Sequence, residues 1–378
     1  NRKIKDILAG NRWFMKLHHT SESKAVGRGL GAYTAEGVPA RGGRTGSKRI
    51  GLMEATSLLA HGATDVLRDA SLIRGQASPQ YWTQFTAGYK PPTPSVPFVY
   101  QKFVNDLRGA GINAVRSGSS IHIMALTDDD IDKLAEGREI QNVDTVDWKK
   151  DLKPRKGGLF DERLTGGLGG TRWSTFQLHE PMPNPVMEEP IRRILGLTEK
   201  QMLDILAGRR ELHGRTGPKA IQQALDQVDL KKEIERARSE IASGKKTYRD
   251  NAIRRLGFLK SADRLGIHPR QWMLSKVPVL PPAYRPISVM GPNKLSLVAD
   301  PNFLYKELFE ANTALREMSD VVDDVGTERL ATYNALKAVV GLGDPIHPQN
   351  RDRRIRGILK HVFGASPKVG VVQQRLIG

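Results

Sequence analysis

Two groups of basic side chains carry the chemistry that this sequence can do. The first lies in a glycine-rich stretch, where missing side chains let backbone N–H groups approach a phosphate. The second lies around residues 351–360 and contains a single acid, Asp352. Both patterns predict contacts to a phosphate backbone without base reading, and the alternative for each is a solvated loop. The predicted residues are Lys24, Arg28, Arg41, Arg44, Lys48 and Arg49 in the first group, and Arg351, Arg353, Arg354, Arg356 and Lys360 in the second.

The overall charge of the chain favours the same class of partner. The 378 residues include 59 lysines and arginines against 41 acidic residues, a formal net charge of +18. Such a surplus favours a polyanion, with nucleic acid first, although a basic surface without a partner is the alternative. The length predicts two or three domains. Membrane insertion is not expected, because no apolar run approaches the ~20 residues of a transmembrane helix.

The sequence lacks the residues of the common catalytic and metal centres. It has no cysteine, which excludes disulfides and Cys-type zinc sites and fits a reducing cytoplasm. Two-metal phosphoryl transfer needs clustered carboxylates, and the D-x-D-x-D spacing at Asp128–Asp132 lies at the start of a predicted helix rather than on a loop. His18 and His19 are neighbours on a predicted strand, so they would point to opposite faces and could not share a metal. Gly43–Lys48 (GRTGSK) matches a phosphate-binding loop only weakly, because it lacks G-K-[ST].

Three consecutive aspartates, Asp128–Asp130, have two interpretations. They could hold a metal ion, or they could form the acidic first turn of a helix that Thr127 caps. The capping interpretation is favoured, because the three side chains fan around the turn and the helix dipole prefers acids at that end.

The elements that position these residues are predicted to be mostly helical. Residues 11–19 favour a strand and residues 27–49 a glycine-rich loop. Apolar residues at helical spacing predict one amphipathic helix with Leu52, Thr56, Leu59, Ala63 and Val66 on its apolar face. Further predicted elements are a Pro-rich connection at 77–97, a helix at Phe98–Leu107, two short strands within 112–125, a loop at 153–170, an extended segment at 181–190, a Thr198–Gln201 capping box for a helix through Leu206, and a helix that Asp229 opens.

The stretch Trp272–Pro286 (WMLSKVPVLPPAYRP) is the most informative in the chain. Each proline fixes its own φ and pushes its predecessor into extended geometry, which predicts a rigid strap rather than a helix or a ladder-forming strand. After it, apolar residues between Leu304 and Val322 alternate by four and three, as in a coiled-coil seam. Gly326 would stop this helix and Thr327 would open a return helix. The pattern predicts a projecting antiparallel helical hairpin.

A strap followed by a helical hairpin resembles the largest subunit, β′, of multisubunit RNA polymerases, in which strap, lid and clamp coiled coil follow one another. Asp151–Glu162 (DLKPRKGGLFDE) resembles the β′ motif L-K-P-x-x-x-G-L-F-x-E. Pro218–Leu259 resembles the helical region before the strap, and Arg375–Gly378 resembles the start of the switch segment.

Upstream of residue 116 the sequence resembles the carboxyl end of the β subunit instead. The similar stretches are MKLHH at 15–19, Gly42-Gly43, GSKRIGLMEATSLLAHGA at 46–63 and AGIN at 110–113. Residues 121–137 then resemble the start of β′. The resemblance therefore implies a β carboxyl end fused to a β′ amino end near Arg116–Ser120, in a divergent and phage-encoded polymerase of bacterial type.

This resemblance implies a mixed α+β, helix-rich fold, an RNA polymerase clamp with a projecting antiparallel coiled-coil hairpin. It implies a part of a nucleotidyltransferase that holds template DNA and the RNA–DNA hybrid, while the Mg-binding aspartate triad of the complete enzyme lies on another chain. The implied partners are the other polymerase subunits, including the chain with that triad, together with DNA, RNA and a σ-like or phage initiation factor. The implied location is the bacterial host cytoplasm or a virion.

The resemblance also assigns segments and residues. It adds Lys294 in the lid, which would wedge RNA from template, and Arg375 in the switch region to the nucleic-acid-binding residues. It implies contacts to an initiation factor by Tyr305, Lys306, Asn312 and Arg316. The implied segments are the strand end of the β barrel region (1–26), the β switch loop and clamp helices (27–115), the β′ amino-terminal clamp (116–208), clamp helices and strap (209–286), lid (287–299), coiled-coil hairpin (300–341) and rudder and switch region (342–378).

Two departures from the family pattern limit what carries over. Asp161 stands at a position that is often Cys, and Gly166–Gly170 stands where β′ usually has a four-Cys zinc ribbon, so no zinc is expected. Ala311 and Ala314 align with arginines that usually meet a σ factor. The alternative function is a free-standing basic nucleic-acid-binding or scaffold protein without polymerase partners.

Overall fold

The computed structural model divides the chain into two compact units, residues 1–99 with 377–378, and residues 100–376. None of the helices that the model describes is long and apolar enough to cross a membrane. Arg44, Lys294 and Arg375 lie outside the described residues. The finer division into segments stays a prediction. The described residues are 9–24, 26–34, 37–42, 46–117, 120–141, 146–147, 153–244, 246–290, 295–364, 370–372 and 376.

The first unit is built from short helices. The predicted amphipathic helix is broken into two because Gly62 adopts the left-handed region with φ 67°. The predicted connection at 77–97 was wrong in part, since it contains a helix. The Ser78 side chain caps this helix by accepting from Tyr81 N, and Pro79 is its first residue. Proline fits there because the first N–H groups of a helix have no acceptor within the helix. The helices are α1 (Ser21–Lys24), α2 (Leu52–Ala60), α3 (Thr64–Arg68), which continues as a π-helical turn at Asp69–Ile73, and α4 (Pro79–Thr86).

Residues 11–19 were wrongly predicted as a strand. The structure gives them no strand pairing, and Trp13 and Phe14 are 91% and 87% exposed. A strand needs a partner for its backbone groups, and no described residue supplies one here. The apolar face of α2 and α3 is also open, because Leu52, Leu59 and Val66 are all more than half exposed.

The beginning of the second unit follows the sequence prediction closely. Helix α5 (Phe98–Gly109) is followed by the antiparallel strands β1 (Ile112–Ser117) and β2 (Ser120–Ala125). Helix α6 (Asp128–Ala135) begins with a capping box, in which Thr127 Oγ1 accepts from Asp130 N at 3.3 Å. The capping interpretation of the three aspartates is therefore confirmed.

The remaining elements form a helix-rich α+β unit with small antiparallel sheets, as predicted. The capping boxes at Thr198 and the N-cap at Asp229 are confirmed. The strands are β3 (Val146–Asp147), β4 (Lys153–Pro154), β5 (Ser174–Pro183), β6 (Met273–Val279), β7 (Ile287–Met290) and β8 (Leu295–Val298). The helices are α7 (Glu162–Thr165), α8 (Glu188–Leu195), α9 (Glu199–Leu206), α10 (Pro218–Asp226), α11 (Leu230–Ser243), α12 (Lys246–Leu265), α13 (Asp300–Ser319), α14 (Gly326–Val340), α15 (Pro348–Asp352) and α16 (Ile358–Phe363), with 3₁₀ turns at Pro185–Met187, Pro269–Trp272 and Pro282–Tyr284.

The first half of the predicted strap is a ladder-forming strand, which corrects the prediction. Strand β6 pairs antiparallel with β5, and Pro278 lies opposite Thr175. A proline fits because, among the described residues, β6 pairs with β5 on one side alone, so the missing N–H falls on an edge. The Thr175 hydroxyl donates to Val277 O at 3.0 Å and strengthens the pairing.

Helices α13 and α14 pack against each other, and the projecting coiled-coil hairpin stays a prediction. The pair is joined by residues 320–325, and Gly326 begins the return helix rather than ending the first one. Its base lies in the core: Phe309 stacks on Phe176 of β5 with ring centroids 4.1 Å apart. Burial on α13 reaches Leu315, so the exposed part of the pair is the end around residues 316–324.

Candidate nucleic-acid interface

A fully buried arginine joins three segments of the second unit. The Arg285 guanidinium donates to Leu280 O in the strap, to Asn302 Oδ1 at 2.8 Å in α13, and to Leu159 O at 2.6 Å in the loop before α7. The Asn302 amide donates back to Arg285 O at 2.9 Å. These bonds satisfy the buried charge through neutral acceptors, which fixes the loop, the strap and the start of α13 relative to one another.

Aromatic rings complete the surroundings of this guanidinium. Its carbon lies 4.6 Å from the centre of the Phe160 ring and 5.9 Å from that of Tyr305. Burial lowers the pKa of Arg285 to about 10, which still leaves it charged at neutral pH. Cation–π contacts and charge-assisted bonds therefore offset its desolvation.

The predicted contacts to an initiation factor divide by burial. Tyr305 is fully buried, and its hydroxyl donates to Pro278 O at 3.1 Å and accepts from Leu280 N at 3.0 Å. A side chain without exposed surface cannot touch a partner protein, so this prediction for Tyr305 is corrected. Lys306 is exposed beside Glu310, with Nζ and the carboxylate 3.6 Å apart.

Asn312 is hydrogen-bonded to β5, whereas Arg316 is exposed. The Asn312 amide accepts from His179 N at 2.9 Å and donates to Gln177 O at 3.1 Å. These are the backbone groups of β5 where its register with β6 shifts, so Asn312 supplies hydrogen bonds that the ladder loses there. Arg316 lies exposed at the open end of the helix pair.

The second predicted phosphate-binding group lies on residues 343–361, the basic turn. A buried carboxylate organises its start: Glu307, 1% exposed, accepts from Ile346 N at 2.9 Å, His347 N at 3.2 Å and Asn350 Nδ2 at 2.7 Å. The turn is thereby fixed to α13.

Two of its predicted phosphate-binding cations are used inside the turn. The Arg351 guanidinium donates to Pro345 O at 2.6 Å and Ile346 O at 2.9 Å. Lys360 Nζ bonds Asp344 Oδ1 at 2.9 Å. Their positive charges remain near the surface, but their donors hold the turn together.

The end of the basic turn is held by Asp300. Its carboxylate accepts from Arg356 N at 3.0 Å and lies 3.0 Å from His361 Nε2. Burial raises the pKa of Asp300, but the bonds from His361 and Arg356 outweigh it and lower that pKa overall.

Arg353 and Arg354 are exposed cations of the basic turn. Arg354 adopts the left-handed region with φ 55°, a conformation that the surrounding bonds impose on a non-glycine residue. Neither guanidinium has a bonded partner among the described residues. The pair is therefore held in place and open to a phosphate.

The first predicted group belongs to the other unit. Arg28 lies over the Tyr33 ring at 4.8 Å, and Lys48 donates to Ser23 O. Arg41, Lys48 and Arg49 are exposed, and isolated bridges at Tyr33–Pro39 and Arg41–Ser47 order the loop. The Lys24 side chain lies outside the described residues.

The segment from Asp161 to Gly170 forms a compact turn. Asp161 caps α7 by accepting from Arg163 N at 2.9 Å, and the bond from the Arg163 guanidinium lowers its pKa to about 2. A side chain at Gly170 would place its Cβ 1.8 Å from Thr165 O, so only glycine fits there. Among the described residues, no group of three or more histidines and acids could hold a metal ion.

Sequence reasoning missed the central role of Arg285 and Asn302. A signal existed, because Arg285 lies between Tyr284 and Pro286 in an otherwise apolar, proline-bounded stretch. A lone charge in such a run indicates either a functional cation or a buried, fully bonded one.

Comparison with known proteins relates part of the chain to one subunit of RNA polymerase. No protein-family model matches the chain. It is 30% identical to the DNA-directed RNA polymerase subunit beta' of Bacillus mycoides (strain KBAB4) over 173 residues, which is 44% of this chain and 14% of that protein. It is 34% identical to the same subunit of Shewanella sp. (strain ANA-3) over 128 residues, covering 33% and 9%. It is 28% identical to that of Lacticaseibacillus casei (strain BL23) over 203 residues, covering 50% and 16%.

A third to a half of this chain is thus similar to bacterial β′ subunits, which supports a relationship to RNA polymerase. The matched stretch spans at most 16% of the length of these three relatives.

Proposed function

We propose that the chain is a clamp-forming, non-catalytic part of a DNA-dependent RNA polymerase, in which the carboxyl end of β is fused to the amino end of β′. It holds template DNA and the RNA–DNA hybrid while another chain makes phosphodiester bonds. We further propose a divergent, phage-encoded enzyme, because the zinc ribbon is replaced by the turn at Gly166–Gly170.

One observation carries this proposal. The segments that resemble successive β′ motifs, at Leu159-Phe160, at 280–285 and at the start of α13, meet at the single buried Arg285. Similarity confined to isolated helices would not bring these three segments to one joint. The partial similarity to β′ subunits supports the same assignment.

The groups of residues have different proposed roles. Arg353 and Arg354 grip phosphates from a rigid turn, and the hairpin of β7 and β8 acts as the lid, with Lys294 beside the RNA. Lys306 and Arg316 remain the contacts for an initiation factor. The Mg²⁺ of the complete enzyme is proposed to lie on another chain, one that carries the aspartate triad.

Co-purification tests the proposal. The full chain, tagged and expressed with its neighbouring genes, should bring down a second chain that carries the Mg-binding aspartate triad, and the complex should extend RNA. A stable monomer that never acquires such a partner would contradict the proposal. Binding of DNA by the isolated chain, with no gain from polymerase subunits, would favour the free-standing scaffold instead.

Charge reversal then tests the basic turn. Arg353→Glu with Arg354→Glu should shorten the half-life of a stalled elongation complex by at least about tenfold at moderate salt, because two phosphate contacts are lost. The matched control is Lys200→Glu with Lys219→Glu, which makes the same change of charge at two exposed lysines on α9 and α10. If both double variants shorten the half-life equally, the effect comes from net charge, and a specific role of the basic turn is contradicted.

A further inference from the structure

Helix α12 presents a line of cations that neither group of sequence-predicted sites includes. Its inner side is buried through Ala252, Leu259 and Ala262. Its outer side repeats at intervals of four and three, and every member of the repeat is exposed. The outer line consists of Arg249, Ile253, Gly257, Lys260 and Arg264.

Several of the cations around this line are ion-paired. On α11, Arg236 pairs with Glu240 at 3.2 Å, and on α12 itself Arg255 pairs with Glu240 at 2.8 Å. On α8, Arg193 pairs with Glu189 at 2.7 Å. By contrast, the three cations of the outer line have no ion pair or side-chain hydrogen bond with any described residue.

Gly257 adds a second, independent observation. It lies in the middle of a 20-residue helix, where glycine weakens the helix relative to alanine. Nothing lies within 4 Å of the position of a Cβ there, and its φ is not left-handed, so neither packing nor backbone conformation explains it. A bare backbone at the centre of a cationic line allows close approach of another molecule.

We infer that the outer line of α12 binds the phosphate backbone of duplex DNA. This rests on the proposed function only in taking DNA as the polyanion. From Arg249 to Arg264 the line is about 22 Å long, which matches the axial rise of about six or seven base pairs of duplex. An acidic protein partner is the other chemistry, but the line offers only one apolar side chain, Ile253, and protein interfaces are centred on buried apolar or aromatic anchors.

Binding to a fluorescent 25-base-pair duplex tests the inference on the full chain, with salt varied from about 50 to 200 mM. The triple variant Arg249→Glu, Lys260→Glu and Arg264→Glu should bind at least about tenfold more weakly, and its log–log salt slope should fall by about three, one per lost phosphate contact. The matched control reverses Lys200, Lys219 and Lys231, three exposed lysines on separate helices, to Glu. Equal losses from the two triples would overturn the inference, as would an unchanged slope.

A neutral variant tests close approach without changing charge. Gly257→Leu should bind DNA more weakly by about threefold or more while α12 becomes more stable to heat, since leucine favours helix. Gly257→Ala should stabilise the helix with little effect on binding. If Gly257→Leu binds DNA as tightly as the parent, the line is a solvated face and the inference is wrong.

The inference and the proposed function can fail separately. If the α12 triple loses duplex binding but no polymerase partner co-purifies, the surface is correct and the polymerase assignment is wrong. If the chain assembles into an active polymerase and the triple leaves both duplex affinity and elongation-complex half-life unchanged, the assignment stands and the surface is wrong.

Discussion

Each unit contains a buried polar side chain that joins separate segments, and the two side chains differ in charge. In the first unit Gln76 is 5% exposed, and its amide donates to Leu72 O at 2.7 Å and lies 3.1 Å from Ser95 Oγ. In the second, Arg285 is fully buried and bonded to Leu280, Leu159 and Asn302. Both side chains join segments that are distant in sequence, but only the arginine must also offset the desolvation of a charge.

The two side chains differ in the residues that surround them. The backbone carbonyl of Gln76 accepts from Trp82 Nε1 at 2.7 Å, so its network belongs to a small aromatic cluster with Tyr81 and Phe85. Large apolar side chains elsewhere in that unit, such as Trp13, are exposed. In the second unit Arg285 bonds three separate segments, and we expect this unit to depend more strongly on that one residue.

Removal of Arg285 should have the largest effect. Arg285→Met keeps an apolar stem but leaves Leu159 O, Leu280 O and Asn302 without their donor, so we expect a loss of about 4 kcal/mol in the free energy of unfolding of the second unit. Hydrogen exchange should increase across the strap and the start of α13. Urea unfolding of the full chain measures the loss, with exposed Arg353→Met as the matched control.

A loss under about 1 kcal/mol for Arg285→Met would contradict a greater dependence of the second unit on its buried charge. Protection in residues 46–99 should stay unchanged, since the network of Arg285 lies in the second unit.

Removal of Gln76 should have a smaller effect, confined to the first unit. Gln76→Met conserves volume and leaves Leu72 O and the Ser95 hydroxyl unbonded, which should cost about 2 kcal/mol. Trp82 fluorescence reports unfolding of this unit, and Gln84→Met is the control for loss of a nearby, less buried amide. A loss larger than that of Arg285→Met would reverse the order argued from charge.

Local features could be predicted from sequence because their partners lie within a few residues. The caps at Thr127 and Thr198 each bond a residue three positions ahead, so their signals are complete in the sequence. The pairing of Pro278 with Thr175 has no local signal, and proline argued against it. The burial of Arg285 was not predicted for a related reason. A charged residue is expected at the surface unless its acceptors, which are distant in sequence, are known.

The predicted cations illustrate the same limit within the candidate interface. Composition indicated that residues 351–360 are basic, but it could not divide Arg351 and Lys360, which bond inside the turn, from Arg353 and Arg354, which are exposed. Sequence likewise could not tell which cations of α11 and α12 form ion pairs, because a pair such as Arg255 with Glu240 joins two helices.

Acid titration tests a third buried polar side chain, the carboxylate of Asp161. The pKa of Asp161 is about 2, below its usual value near 4, so the unfolded chain binds the proton more tightly than the folded one. The stability from this group is therefore present above about pH 4 and lost as the pH falls towards 2. Asp161→Asn keeps the cap but removes the charge, so it should lose about 1 kcal/mol at neutral pH and flatten the pH dependence between 4 and 2. A parallel curve displaced at every pH would show that another acid is responsible.

The open face of α2 should give the smallest effect. Leu59 is 58% exposed, so Leu59→Ser should change the free energy of unfolding by less than about 0.5 kcal/mol. Ala55 on the same helix is 8% exposed, and Ala55→Asp should cost several times more because it buries a charge. Thermal unfolding of the full chain, followed at the Trp82 cluster, measures both. If Leu59→Ser proves as costly as Ala55→Asp, the outer face of α2 is covered in solution, and the first unit owes part of its stability to a contact outside its own network around Gln76.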